Sequence, residues 1–234
     1  LILSISRFGS MLSPVPDFAD APWHDGSNPA LIQGTQVWSD AELRHRASAR
    51  AEWLRAQSVR PGQVVMAPDV PGSDLILMVH ALARIGAALL PYRAGLASDE
   101  RQALAAMTGA EWEWHPESGQ LTPTGFGADK LDCSDPSIRL LIKTSGSSGV
   151  PKVAMLTTDN LMVSAISAKA QLGLTRGDIW LACLRLSHVG GVSIAYRCAL
   201  AGATLLLHDG FDAQAVSQDL HQRPVTHLSL VPPM

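Results

Sequence analysis

Ile142-Lys143-Thr144-Ser145-Gly146-Ser147-Ser148-Gly149-Val150-Pro151-Lys152 is the stretch on which the reading of this chain turns. An apolar run, Ile138 to Ile142, precedes it and is short enough for a buried strand. A second β-like run, Val153-Ala154-Met155-Leu156, follows, and Thr157-Thr158-Asp159-Asn160 then reads as a helix start. Small and hydroxyl-bearing residues are thus held between two extended segments. Such a loop can bring several backbone N–H groups to one anion, because glycine tolerates the positive φ values of a tight wrap. Thr144, Ser145, Ser147 and Ser148 add hydroxyl donors and Lys152 adds a mobile positive charge, a combination suited to a polyphosphate. A Gly/Ser linker or cloning scar has a similar composition, but it would lie in polar sequence or at a terminus. Other named loops fit poorly. A Walker loop needs Gly-Lys-Ser/Thr, whereas Lys152 stands between Pro151 and Val153. A nucleophile elbow has one serine between its glycines, and Gly146 and Gly149 flank two; no serine lies three positions before Lys152 to make Ser-x-x-Lys.

Composition removes several classes. With 47% hydrophobic and 17% charged residues, the 234-residue chain can bury a substantial core. A net charge of −3 with no basic run argues against a nucleic-acid partner. Cys133, Cys183 and Cys198 are odd in number and widely spaced. They form neither a disulfide framework nor Cys-x-x-Cys metal spacing, so no metal ligands are assigned and a reducing, cytoplasmic setting is expected. The most apolar window, Leu75 to Leu90, is too short for a bilayer and is interrupted by His80 and Arg84, so no membrane partner is expected. Leu1 to Ile5 is too short for a signal segment, and Met11 is the expected natural start, behind vector-derived residues.

Along the chain, helix and strand patterns alternate. Residues 1–22 read as an arm with little structure of its own. A short hairpin around Gly34, a helix capped by Ser39-Asp40-Ala41-Glu42, and a strand at Val64 to Ala67 follow. Next come a helix from Ser73-Asp74 to Gly86, a strand to Pro91, a helix from Ser98 to Gly109, and Trp112 and Trp114 on a half-buried edge strand. The turn-rich segment from Pro116 to Asp135 is the expected boundary between a first α/β subdomain, 23–130, and a second, 131–234. The second continues with a helix over Asn160 to Lys169, a strand Ile179 to Leu184, a loop Ser187 to Gly191, and a helix from about Val192 to Leu200. A strand Thr204 to Leu207, a helix Phe211 to His221 and a strand Val225 to Val231 complete it. This pattern predicts an α/β fold, with parallel-rich sheets covered by helices in two subdomains. Ligands of such sheets sit at the carboxyl ends of strands, where both the Ser/Gly loop and the His188 loop are expected.

Thr-Ser-Gly-Ser-Ser-Gly-Val-Pro-Lys, nine consecutive positions, resembles the phosphate loop of the adenylate-forming enzymes: acyl- and aryl-CoA synthetases, luciferases and peptide-synthetase adenylation domains. Val153 departs from it, since the family commonly has glycine there. Trp180 to Gly191 resembles the family's second core motif, with Leu-Arg-Leu-Ser-His for Leu-Pro-Leu-Phe-His. The resemblance implies that His188, with Gly190 and Gly191, lies beside the acyl carboxylate. It implies that Thr144, Ser145, Gly146, Ser147, Ser148, Gly149 and Lys152 hold the β and γ phosphates of ATP with Mg²⁺. A carboxylate would attack the α-phosphate, giving an acyl-adenylate and pyrophosphate, and the thiol of coenzyme A would then displace AMP. Lys152 and His188 are the catalytic candidates, His188 orienting the carboxylate rather than acting as a general base. Arg197, in an otherwise apolar helix, and the run Val225 to Pro233 resemble the o-succinylbenzoate–CoA ligase branch of menaquinone biosynthesis. An arginine there can clamp a second carboxylate; a snorkelling arginine or a buried ion pair is the structural alternative.

The resemblance begins near Asp25 and covers the first half of a family member. The adenine-binding Tyr-Gly-x-Thr-Glu, the ribose-binding aspartate and the C-terminal lysine domain have no counterpart here. The chain is therefore expected to be an N-terminal portion that does not complete adenylation alone, an expectation that pyrophosphate exchange by this polypeptide would overturn. It would expose apolar surface, which a homodimer could cover. Two alternatives stand beside the o-succinylbenzoate reading: another acyl- or aryl-CoA synthetase, and a non-catalytic nucleotide- or anion-binding remnant.

Overall fold

Strands that are apolar at every position need cover on both faces, and this chain has several. Val64 to Ala67, Ala88 to Leu90 and Leu205 to Leu207 are all buried. The computed structural model describes residues 27–127, 137–144, 152–232 and 234, so the arm expected at 1–22 lies outside them. Eleven strands and six helices follow in chain order: β1 Pro29–Gln33, β2 Gln36–Ser39, α1 Asp40–Ala56, β3 Val64–Asp69, α2 Asp74–Ile85, β4 Ala88–Arg93, α3 Ser98–Thr108, β5 Trp112–His115, β6 Gln120–Pro123, β7 Ile138–Thr144, β8 Lys152–Thr157, α4 Thr158–Leu172, β9 Ile179–Ala182, α5 Val189–Ala201, β10 Thr204–Leu207, α6 Ala213–Gln222 and β11 His227–Leu228.

The strands form a five-stranded sheet, β11-β9-β10-β1-β2, and a six-stranded sheet, β6-β5-β3-β4-β7-β8. The interior pairings are parallel, and the antiparallel ones are the hairpins β1/β2, β5/β6 and β7/β8. The expected α/β class with parallel-rich, helix-covered sheets is what the chain adopts. Strand periodicity sorts the side chains into layers. In β3 and β4, Val65, Ala67 and Leu89 face a core shared by both sheets, while Val64, Met66, Ala88 and Leu90 face Leu104 and Ala105 of α3. In β9 and β10, Trp180, Ala182, Leu205 and Leu207 join the shared core, while Leu181 and Leu206 face Val216 of α6. Helices α1, α2, α4 and α5 therefore fill the space between the sheets, with α3 and α6 outside. Central α2 has ten of its twelve residues buried, as expected of a helix that is apolar all round. Among the described residues no helix is long and apolar enough to cross a membrane.

Two local expectations change. Trp112 and Trp114 are not on an edge strand, because β6 lies outside β5 and pairs Leu121 with Trp114. Gln120-Leu121-Thr122-Pro123 has little strand signal of its own; an edge position needs only one partner and tolerates Pro123 at its end. The last strand is short, His227–Leu228 rather than Val225 to Val231. Each sheet draws strands from both sides of residue 130: β1 pairs with β10 in one, and β4 with β7 in the other.

One polar joint ties the central layer to the six-stranded sheet. Asp74, in the first turn of α2, accepts from Arg50 at 2.9 Å and from the Trp114 indole N–H. The Arg50 guanidinium lies 4.6 Å from the Trp114 ring centroid, and Trp53 meets the same ring edge-on. Asp74→Ala removes the shared acceptor and strands a mostly buried indole N–H. The expected loss is about 2 kcal/mol by urea denaturation, with Arg50 and Trp114 variants failing to add to it.

Candidate active site

Strands β7 and β8 form an antiparallel pair whose last matched residues are Thr144 and Lys152. The Thr144 hydroxyl donates to the Lys152 carbonyl at 3.3 Å. Thr144 is exposed and Lys152 half-buried, so both ends of the connecting run meet solvent while Leu140, Leu141 and Ile142 behind them are buried. The candidate residues Ser145, Gly146, Ser147, Ser148 and Gly149 lie outside the described residues. The hairpin that carries them is at one side of the six-stranded sheet, β8 being its edge strand; β7 is parallel to β4, and β4 to β3. The carboxyl ends of β3, β4 and β7 therefore share one edge, with the β3 and β7 axes two strand spacings, about 10 Å, apart.

The second candidate segment follows β9 in the other sheet. The chain turns after β9, and the His188 N–H donates to the Arg185 carbonyl at 3.1 Å. His188 has an extended backbone, φ −111° and ψ 146°, and caps α5; its carbonyl accepts from the N–H groups of Gly191 and Val192. The helix thus begins at Val189 rather than near Val192, and Gly190 and Gly191 lie in its first turn. Two adjacent glycines argue for a loop by propensity. Here Gly191 answers a packing demand: a Cβ on it would stand 2.2 Å from the Arg185 carbonyl oxygen and 2.8 Å from that of Leu184. The His188 ring is exposed, at the helix end whose dipole favours an anion.

Asp69 and Ser187 were not among the sequence candidates. Ser187 donates both its N–H and its hydroxyl to Asp69 Oδ2, at 2.9 and 2.8 Å. Asp69 ends β3, so this contact brings the His188 turn to the sheet edge where β7 also ends. Ser187, which stands where the resembling motif has phenylalanine, is thus a buried tether rather than part of an exposed wall. A signal existed, in an aspartate closing an apolar strand, but its partner is 118 residues away and pattern reading cannot pair them.

Arg197 lies nine residues beyond His188, about 13 Å further along the axis of α5. Its guanidinium stands 5.5 Å from the Trp180 ring centroid, and its buried Nε has no hydrogen-bond partner among the described residues. Burial holds its pKa below the usual arginine range. Trp180 in turn donates from its indole N–H to Ser229 Oγ at 3.1 Å and packs against the His227 ring at 5.2 Å. Of the two expected structural explanations for Arg197, an ion pair and a snorkelling side chain, no ion pair is formed among the described residues. No group of three or more His, Cys, Asp or Glu side chains among them could hold a metal ion, and Cys183 and Cys198 are buried free thiols.

Comparison with known proteins places this geometry in a family. Residues 113–234 match the model of the AMP-binding enzymes. The chain is 29% identical over 206 residues to the 2-succinylbenzoate–CoA ligase of Bacillus thuringiensis subsp. konkukian, covering 82% of this chain and 43% of that protein. Identity to the 2-succinylbenzoate–CoA ligase of Bacillus licheniformis is 28% over 223 residues, covering 88% and 47%. The chain thus spans less than half the length of these curated relatives. Its fold matches o-succinylbenzoate coenzyme A synthetase from Bacillus subtilis, solved in complex with ATP and magnesium ion, with a TM-score of 0.81, 25% identity, and coverage of 94% of this chain and 50% of that one. Apo MatB from Rhodopseudomonas palustris shares the fold at a TM-score of 0.78 and 18% identity, with coverage of 93% and 49%. With more than half of its residues under the family model, the chain belongs to the AMP-binding, adenylate-forming enzymes.

Proposed function

We propose that this chain grips the polyphosphate of ATP and the carboxylate of an organic acid in an ATP-dependent, AMP-forming acid–thiol ligase, with o-succinylbenzoate as the acid and coenzyme A as the thiol. The observation that carries the proposal is the Thr144 to Lys152 run, borne between β7 and β8 at the carboxyl edge of the six-stranded sheet. In this reading the hydroxyl and amide donors of Thr144, Ser145, Gly146, Ser147, Ser148 and Gly149 hold the β and γ phosphates of Mg·ATP. The Lys152 ammonium offsets the charge that moves toward the leaving pyrophosphate as the carboxylate oxygen bonds to the α-phosphorus. His188, exposed at the start of α5, orients that carboxylate, with exposed Gly190 beside it and buried Gly191 seating the turn that presents it. Coenzyme A then attacks the acyl carbon and releases AMP.

The choice of acid is supported by Arg197. A guanidinium whose buried Nε has no partner among the described residues suits bidentate capture of a second carboxylate, and the aromatic face of Trp180 holds it in place. Calorimetric titration of the chain tests both parts. Lys152→Ala should weaken Mg·ATP and pyrophosphate about tenfold, or about 1.4 kcal/mol. Arg197→Ala should weaken o-succinylbenzoate about tenfold and leave benzoate unchanged. A wild-type chain that binds neither Mg·ATP nor pyrophosphate would end the ligase reading. Equal affinity for benzoate and o-succinylbenzoate would instead assign another acyl- or aryl-CoA synthetase.

A further inference from the structure

We propose that Asp69 is a positioning residue for the acid-binding end of this site, its carboxylate fixing the turn that presents His188. The inference rests on the reading of His188 as a carboxylate-facing residue. Asp69 and Ser187 are 9% and 7% exposed, so the carboxylate is largely withdrawn from water, and the two Ser187 donors on Oδ2 stand in for lost hydration. His188 is the next residue. Among the described residues its ring forms no hydrogen bond, and its side chain does not cap α5, so the ring inherits its place from the backbone before it.

Besides the packing of Leu186 into the shared core, that backbone has polar and close-contact restraints of two kinds. The His188 N–H to Arg185 carbonyl bond and the seating of Gly191 on Arg185 and Leu184 are internal to the turn. They would travel with the turn if it moved. The Asp69 contact is different, because it crosses from the turn after β9 to the end of β3 in the other sheet. It alone of these three registers the His188 turn against the edge from which Thr144 and Lys152 also emerge. Losing it should let the turn shift as a unit without dissolving it.

The test uses the 234-residue chain with Asp69→Ala, Asp69→Asn, Ser187→Ala and Ser187→Thr. The readouts are the chemical shift of the His188 ring Hε1 at fixed pH and calorimetric affinities for o-succinylbenzoate and for Mg·ATP. Asp69→Ala should move the His188 ring resonance and weaken o-succinylbenzoate at least tenfold, with Mg·ATP within twofold of wild type. Ser187→Ala, which keeps the N–H bond, should move both partway, and Ser187→Thr, which restores a hydroxyl, should return both. A generally structural role would instead weaken both ligands together, with no recovery in Ser187→Thr, and would overturn the proposal. So would a His188 resonance in Asp69→Ala that overlays wild type. If Asp69→Ala does not fold, Asp69→Asn and the Ser187 pair decide by the same criteria. If wild type binds no o-succinylbenzoate, the acid-binding reading fails alone, and the His188 resonance still decides whether Asp69 positions the turn.

Discussion

Acidification from pH 6.5 to pH 4 should remove about 3 kcal/mol of folding stability through one side chain, His80. His80 stands in the middle of α2, 3% exposed, between the two sheets. Burial, with a smaller contribution from the Arg84 charge, lowers its pKa from 6.5 to about 3. The Arg84 guanidinium itself is anchored on the His80 carbonyl at 3.0 Å, and Asp40 and Cys198 line the same small cavity as the ring. Because the folded pKa is depressed, the unfolded chain takes up the proton first as pH falls. Stability is therefore complete above pH 6.5 and declines by about 1.4 kcal/mol per pH unit until the folded state also protonates near pH 3. Urea denaturation at several pH values measures that slope. His80→Gln supplies the comparison, since other groups also titrate: the Asp219 carboxylate, held low by His208 and Arg223, adds a loss of the same sign at lower pH. The variant's absolute stability can differ, but its slope between pH 6.5 and 4 should be smaller by about 1.4 kcal/mol per pH unit, what remains coming from groups such as Glu111, whose carboxyl pKa burial raises. Equal slopes in the two proteins would contradict the assignment to His80.

Gly191→Ala should lower stability by about 3 kcal/mol, at the upper end of ordinary overpacking, and the melting temperature by about 6–12 °C. The new methyl group meets the backbone carbonyls of Arg185 and Leu184, not a flexible side chain, so nothing nearby can yield cheaply. To accommodate it, α5 must back away from the turn, and the His188 bonds to Arg185, Gly191 and Val192 must lengthen. Gly190→Ala is the internal control. Its Cβ would meet only Leu184 Cδ1 at 3.5 Å, an ordinary contact, and alanine is the better helix former. Differential scanning calorimetry should therefore show a large fall for one glycine and a change within about 0.5 kcal/mol, or a small gain, for its neighbour. A similar response from both would mean that the turn after β9 is looser than its geometry implies.

These two residues also show how far the sequence could be read. His80 was visible in the sequence as an interruption in an apolar window, but its burial depends on two sheets closing over α2, and only the fold supplies them. The glycine pair after His188 suggested a loop, because propensity counts conformational freedom and cannot see the carbonyls against which Gly191 is pressed. The edge strand β6 was missed for a related reason: its weak pattern is sufficient once β5 offers a partner.

The sequence by itself determined the strand and helix alternation, the capping of α1 by Ser39, and the Ser/Gly run closed by Lys152, because these depend on neighbours within a few residues. The α/β class followed from that alternation. Tertiary structure alone decided that β1 would join β10, that β7 would join β4, and that Asp69 would hold Ser187 across 118 residues. Those pairings depend on which apolar faces and which buried donors meet when distant segments pack, and no local pattern in the chain encodes that meeting.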